Sequence, residues 1–389
     1  MKTILATWEL GLANGHVAHV APLARGMKRL GVATAFAARD VVTAALVGDR
    51  PFASIHQAPV LMRPVPRIPT LTYAQVIADG GFGDADHATA LVAAWLMLFE
   101  AVKPAGIVTE FAPVSLLAAH VAGLPVARMG YGWAQPKAEW PLGFLMPWLP
   151  DDRAARTEAG RLADHVVQTV CARFGAPPLA GLPDLLALTP RFLATWPDLD
   201  HGDIEPGMTY YGSMSGLAAT LRPDWPAGQG PRAFVYMPFS HAAGQTLVAA
   251  LAALGWPTIW HCAEAPPQLP GNIVFSLKPV DVAYVLGEAA IFIGRGGHAT
   301  CCEAVRAGCP ILIIPDSLET TLGGWRFEQR GLARLLTEAA TTSQLRAALE
   351  TLLDDFGESS AAAQRRYAGY DPTRAENQMA ADIFKHLGL

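Results

Sequence analysis

Two residues far apart in the chain have the types needed for general-base chemistry. His16 stands in the first turn of a segment with helical spacing, and Glu110 closes the apolar run Ile107-Val-Thr. An imidazole takes up a proton near neutral pH once its second nitrogen is oriented. A carboxylate at the end of a neighbouring strand would orient it, and such a pair activates a hydroxyl by about 10²–10⁴-fold. His19 follows three residues later on nearly the same helix face. Each residue also has a plain structural reading, His16 as a capping or core histidine and Glu110 as a solvated strand-end charge.

The second chemical feature is the stretch 291–321. Ile291-Phe-Ile293 is short and apolar enough for a buried parallel strand. Gly294, Gly296 and Gly297 form a turn almost without side chains, and Thr300–Ala307 is the expected helix, ended by Gly308 and Cys309-Pro310. Ile311–Ile314 reads as the next strand, and Pro315–Thr321 as an acidic loop. A glycine turn that opens a helix after a parallel strand presents unpaired N–H groups and a positive dipole end, which suits a diphosphate.

Both features need a sheet edge to stand on, and the chain supplies the elements. Residues 2–7, Val32–Ala37, Gly106–Thr109 and Pro125–Met129 read as strands, with helices over His16–Leu30, Thr89–Val102, Pro113–Ala122 and Asp151–Phe174. The alternation restarts at Ala233–Met237 and continues through Thr258–His261 and Ile273–Phe275. Such alternation predicts an α/β fold of two doubly wound, Rossmann-like parallel-sheet domains. At 389 residues, two cores are expected rather than one. A turn-rich, weakly apolar shift places a linker at 213–231, between an N-terminal domain over 1–212 and a C-terminal domain over 232–372. Residues 373–389 form a terminal helix expected to pack back on the first domain.

Composition removes several classes. Net charge is −5 with no basic run, which argues against a nucleic-acid partner. Five cysteines without framework spacing fit a reducing, cytoplasmic setting. The start of the chain is too quickly polar for a signal peptide. The most apolar windows, Ala90–Phe99 and Leu142–Leu149, are about half a bilayer span, so no membrane span is expected. Phe144, Met146, Trp148 and Leu149 stand close enough for a peripheral membrane contact, with an internal wall or the lining of an acceptor pocket as the alternative. A nicotinamide site fails on spacing, because Gly11-Leu-Ala-Asn-Gly15 has Ala13 where the dinucleotide turn needs its second glycine, although Asp40 lies where a ribose acid would. His16 with His19, and His298 with Cys301 and Cys302, lack the further ligands of a zinc site, so no metal is expected.

Read together, these segments resemble the GT-B fold glycosyltransferases, nearest to UDP-glycosyltransferase-like and macrolide glycosyltransferase-like enzymes. The resemblance is carried by Gly296-Gly-His-Ala-Thr300, Glu303-Ala-Val-Arg-Ala-Gly-Cys-Pro310 and Pro315 with Glu319. In the first half it is carried by Trp8-Glu-Leu-Gly, Gly15-His16, Pro22-Leu-Ala24, Glu110-Phe-Ala-Pro113 and Gly123-Leu-Pro125. It implies two domains facing across a cleft and an inverting, metal-independent sugar transfer from a nucleoside diphosphate sugar, of UDP or TDP type, with no other cofactor. His16 would be the base and Glu110 its orienting acid, with His19 the alternative base, since the family often has proline three residues after its histidine. Ser240, Arg295, Gly296, Gly297, His298, Ala299, Thr300, Glu303, Glu319 and Thr320 would line the donor site. Arg295 departs from the family's histidine, Ala299 from a glycine, Phe239 from a glycine before Ser240, and Thr320 from a glutamine. The acceptor would be a small, natural-product-like molecule, bound by the variable segments 64–82 and 130–150, and Tyr131, Trp133, Trp140 and Phe144 suggest an apolar or ring-bearing one. A monomer or homodimer is expected. An epimerase or hydrolase of the same fold, or a degenerate homologue serving a partner protein, are the alternatives.

Overall fold

The structure, a computed structural model, describes residues 2–11, 15–46, 49–61, 70–214, 219–266, 268 and 270–389. Turn residues 12–14, residues 64–69 of the first variable segment and residues 215–218 of the expected linker lie outside the described residues. The chain divides into two compact units, Met1–Leu217 with Asp371–Leu389, and Ala218–Tyr370.

In the first unit, β1 (Thr3–Thr7), β2 (Ala33–Ala38), β3 (Ser54–Gln57), β4 (Gly106–Thr109), β5 (Val126–Gly130) and β6 (Arg191–Leu193) form one parallel sheet in the order β3-β2-β1-β4-β5-β6. The central strands are mostly apolar and almost wholly buried, as a parallel sheet covered on both faces requires. Its helices are α1 (Gly15–Arg29), α2 (Val41–Ala45), α3 (Tyr73–Ile77), α4 (Ala85–Val102), α5 (Pro113–Ala122), α6 (Arg153–Phe174) and α7 (Leu182–Ala187). Helix α4 extends the apolar window read as half a span to 18 residues. Among the described residues it is the one helix long and apolar enough to cross a membrane, and it packs in the first unit against α5 and α6.

The second unit repeats the plan. Strands β7 (Ala233–Tyr236), β8 (Thr258–His261), β9 (Ile273–Ser276), β10 (Ile291–Gly294), β11 (Ile311–Ile313) and β12 (Ala333–Leu335) run parallel in the order β12-β11-β10-β7-β8-β9. They carry α8 (Gly244–Leu254), α9 (Val282–Glu288), α10 (His298–Ala307), α11 (Leu318–Gln329) and α12 (Thr342–Tyr367). The expected acidic loop after β11 is a correction: Ser317 accepts the Thr320 N–H and caps α11, so Glu319 and Thr320 lie in a helix's first turn.

Helix α13 (Pro372–His386) returns the chain to the first unit. It lays Met379, Ala380 and Ile383 against α1, where Gly26 lets the two backbones approach. Polar contacts fix its register: Glu376 pairs with Arg29 and Arg25, Asp382 accepts from the Tyr211 hydroxyl at 2.9 Å, and His386 Nε2 meets the Val126 carbonyl at 3.0 Å.

Candidate active site

Register decides what stands at the edge of the first sheet. Thr7 of β1 lies opposite Thr109 of β4, so Trp8–Leu10 and Glu110 leave their strands side by side. Helix α1 starts four residues beyond Gly11 and carries His16 and His19 on its inner face, both buried. Glu110 is fully buried between them. Its Oε2 lies 2.8 Å from His16 Nδ1 and its Oε1 3.2 Å from His19 Nδ1. Burial alone would raise this carboxyl, but the charge and hydrogen bond of His16, with the further pull of His19, hold it down at about 2. An ionised carboxylate only accepts, so each ring donates to it through Nδ1.

The His16 ring is clamped. Trp8 stacks on it at 5.1 Å and 22°, and Phe111, at φ +48°, lies tilted at 5.9 Å. Trp8 is itself held by its indole N–H, which donates to the Leu10 carbonyl at 2.6 Å. Gly11, at φ +81°, packs against the Nε2 end of the ring, and a Cβ there would fall 2.1 Å from Nε2. A cleft of about 160 Å³ opens beside this glycine, lined by Leu10, Arg39, Val60, Leu61, Asp79 and Gly80 as well as Glu9. The Glu9 carboxylate turns away into the start of α5, accepting from Val114 N–H at 2.9 Å and Ser115 N–H at 2.6 Å. Burial pushes it up to about 8 against the pull of those amides. Asp40, where a ribose acid would stand, instead caps α2 through Val42 and Thr43 N–H.

The four aromatic residues expected around an acceptor separate into two groups. Tyr131 and Trp133 are buried near the histidines: Tyr131 meets His19 edge-on at 5.1 Å and stacks on His201 at 5.1 Å, with Trp133 6.4 Å from His201. Trp140 and Phe144 pack on α6 instead, Trp140 over Gly160 and Phe144 under the Arg156 guanidinium. None of the four lines the cleft beside Gly11. The Asp200-His201 pair, which the sequence does not single out, lies beside the first of these groups. Asp200, nearly fully buried, accepts Gly132 N–H at 2.7 Å and His201 N–H at 2.9 Å. Nothing local marks its burial, because Gly132 comes from another loop.

In the second unit, Arg295, Gly296 and Gly297 leave β10 and enter α10, whose first turn holds no acidic residue. Gly296 has φ +96°, and a Cβ there would stand 3.0 Å from both Ile313 Cγ2 and the Thr320 carbonyl, so only glycine lets the turn sit this low. Ala299 and Thr300 are partly exposed in the first turn of α10. His298 turns inward, its ring 6.3 Å from Phe327 and its Nε2 3.6 Å from Cys302 Sγ. Glu303 is buried beside Arg306 at 2.8 Å, and burial raises its carboxyl against that arginine's pull. Arg295 is bound to Asp316 at 3.0 Å. Thr320 is buried, its hydroxyl taken up by Ser317 and Asp316 in the cap of α11, while Glu319 is half-buried beside it. Ser240 is exposed in the β7–α8 loop, next to His241, whose Nδ1 accepts Ala243 N–H at 3.1 Å. Burial lowers His241 against the opposing pull of Asp316. Sequence reasoning passed over His241, although Ser240 next to it was singled out.

The chain is similar to several known glycosyltransferases. Residues 278–371 match the glycosyltransferase family 28 C-terminal domain. The NDP-glycosyltransferase YjiC of Bacillus subtilis (strain 168) is 32% identical over 93 residues, a match covering 24% of this chain and 24% of that protein's length. Among solved structures, glycosyltransferase VinC in complex with DTDP has a TM-score of 0.70 at 18% identity, covering 99% of each chain. The calicheamicin glycosyltransferase CalG4 has a TM-score of 0.68 at 17% identity, over 100% of this chain and 98% of its own. SnogD from Streptomyces nogalater has 0.63 at 18%, over 98% and 99%. The chain therefore has the GT-B fold of these glycosyltransferases and carries a glycosyltransferase family 28 C-terminal domain in its second unit.

Proposed function

We propose that this protein transfers a sugar, with inversion and without a metal ion, from a nucleoside diphosphate sugar to a hydroxyl of a small acceptor. The observation that carries the reading is the buried contact of His16 Nδ1 with Glu110 Oε2 at 2.8 Å, which would orient the ring for Nε2 to act as the base. In the step proposed, Nε2 takes the acceptor's hydroxyl proton as the oxygen attacks the anomeric carbon. The bond from that carbon to the phosphate oxygen breaks, and its electron pair leaves on the diphosphate. Glu110 stabilises the imidazolium that forms.

The second unit would hold the donor. The amides opening α10 and the glycine turn face a diphosphate, whose leaving charge the helix dipole favours. Ser240 would add a hydroxyl, and Arg295 would exchange Asp316 for a phosphate oxygen. Glu303 is assigned to ribose hydroxyls, and Glu319 with Thr320 to the transferred sugar. The DTDP bound by VinC supports a TDP- or UDP-type donor. The cleft beside Gly11 is assigned to the acceptor's reacting end, since Gly11 borders both that cleft and His16 Nε2.

The test is a screen of nucleoside diphosphate sugars, with nucleoside diphosphate release and melting temperature as readouts. One donor class is expected to stabilise the protein and to be consumed only with an acceptor present. His16→Ala should lower turnover by about 10²–10⁴-fold while leaving donor stabilisation intact. Donor consumption at the parent rate by His16→Ala would remove the base assignment.

A further inference from the structure

We propose that His19 is a positioning residue for the His16–Glu110 pair, holding the carboxylate by its second oxygen so that the first stays aimed at His16. The inference rests on reading His16 as the base. It starts from the spacing of α1, which puts residues three apart on one face, so both rings reach the same carboxylate from β4. The contacts are separate, Oε2 to His16 Nδ1 at 2.8 Å and Oε1 to His19 Nδ1 at 3.2 Å. Because Glu110 has no exposure, removing His19 would take a donor from an oxygen that water does not reach. A buried acceptor stripped of its donor is unfavourable enough to turn the carboxyl towards another partner.

The surroundings divide the roles of the two rings. His16 lies against Gly11, which borders the cleft, whereas His19 faces the buried Tyr131 at 5.1 Å and 77°. Tyr131 is backed by His201, and Asp200 holds the loops on either side through Gly132 and His201 N–H. The His19 ring is thus set from behind by the loops after β5 and β6, and passes that orientation to Glu110. Other ionisable groups close by are Tyr73 of α3, which feels both Glu9 and Glu110, and Arg128 of β5, which feels Tyr73.

The experiment compares His19→Ala with His19→Asn, because an asparagine amide can place an N–H near the position of Nδ1 but cannot become an imidazolium. For the full-length protein turning over a donor and acceptor, His19→Ala should lower kcat about tenfold with the donor KM unchanged. His19→Asn should stay within about threefold of the parent. A purely structural role would not be rescued by the smaller amide. An unchanged kcat in His19→Ala, or a His19→Asn as impaired as His19→Ala while both melt like the parent, overturns the proposal. A second readout needs no turnover. Proton NMR of the unliganded parent should show two downfield imidazole Nδ1–H resonances, and His19→Ala should lose one and shift the other. If no donor is ever consumed but these resonances behave so, the base reading fails and the shared carboxylate stands. If His19→Ala leaves the remaining resonance in place, the coupling between the two rings fails.

Discussion

Gly11 is the residue on which the site's geometry turns most directly. Its φ of +81° lies where side chains are rarely accommodated, and the missing Cβ would stand 2.1 Å from His16 Nε2. Gly11→Ala should therefore cost about 1–3 kcal/mol of stability from the backbone alone. It should also displace the His16 ring from its place between Trp8 and Phe111. We expect turnover to fall at least about tenfold, because general-base catalysis depends on hydrogen-bond reach. Melting temperature with kcat checks this: a stable variant with parent kcat would mean that the loop gives way without moving the ring. His16, Glu110 and His19 were all legible in the sequence as residue types at strand and helix ends. The roles of Trp8, Gly11, Glu9 and Asp200 were not, since each is defined by a contact across the fold.

At the scale of elements, the helices and strands around the sites followed from local pattern. The α5 span read from the sequence is the observed Pro113–Ala122, closed by Gly123 in the left-handed region. Short edge strands such as β3, β6 and β12 gave too few residues for a period to register. Helix α12 went unread although Leu345, Leu349 and Leu352 mark its buried face. The first turn of α11 was taken for a loop because its acidic start resembles one, whereas Ser317 at the N-cap makes it helical. The α1–α13 contact carries a prediction of its own. A Cβ at Gly26 would lie 2.5 Å from Ala380 Cβ, so Gly26→Val should push the helices apart at a cost of about 1–3 kcal/mol. Thermal unfolding should show a lower melting temperature. An unchanged value would mean that α13 contributes little to holding the first unit together, despite Met379, Ala380 and Ile383 being fully buried.

For the molecule as a whole, two buried carboxyls set opposing pH dependences. Glu110 is held at about 2, below its ordinary 4.5, so its contribution is present above pH 4.5 and is lost as pH falls through 2. Glu9 is raised to about 8, so its contribution is present below pH 4.5 and is lost as pH rises through 8. Stability of the first unit should thus decline from about pH 5 to about pH 8.5, and Glu9→Gln should flatten that slope. Denaturant midpoints across that range check it; the same slope in the variant would assign the effect elsewhere. The sequence by itself determined the two α/β halves, the glycine turn before α10 and the residue types of the site, because periodicity, chain sterics and helix signals act over a few neighbours. Only the tertiary structure decided that one carboxylate serves two histidines, that Arg295 meets Asp316, and that Thr320 is taken into a cap. Those pairings depend on strand register and on which helix face turns inward, and these are settled only when the sheets are packed.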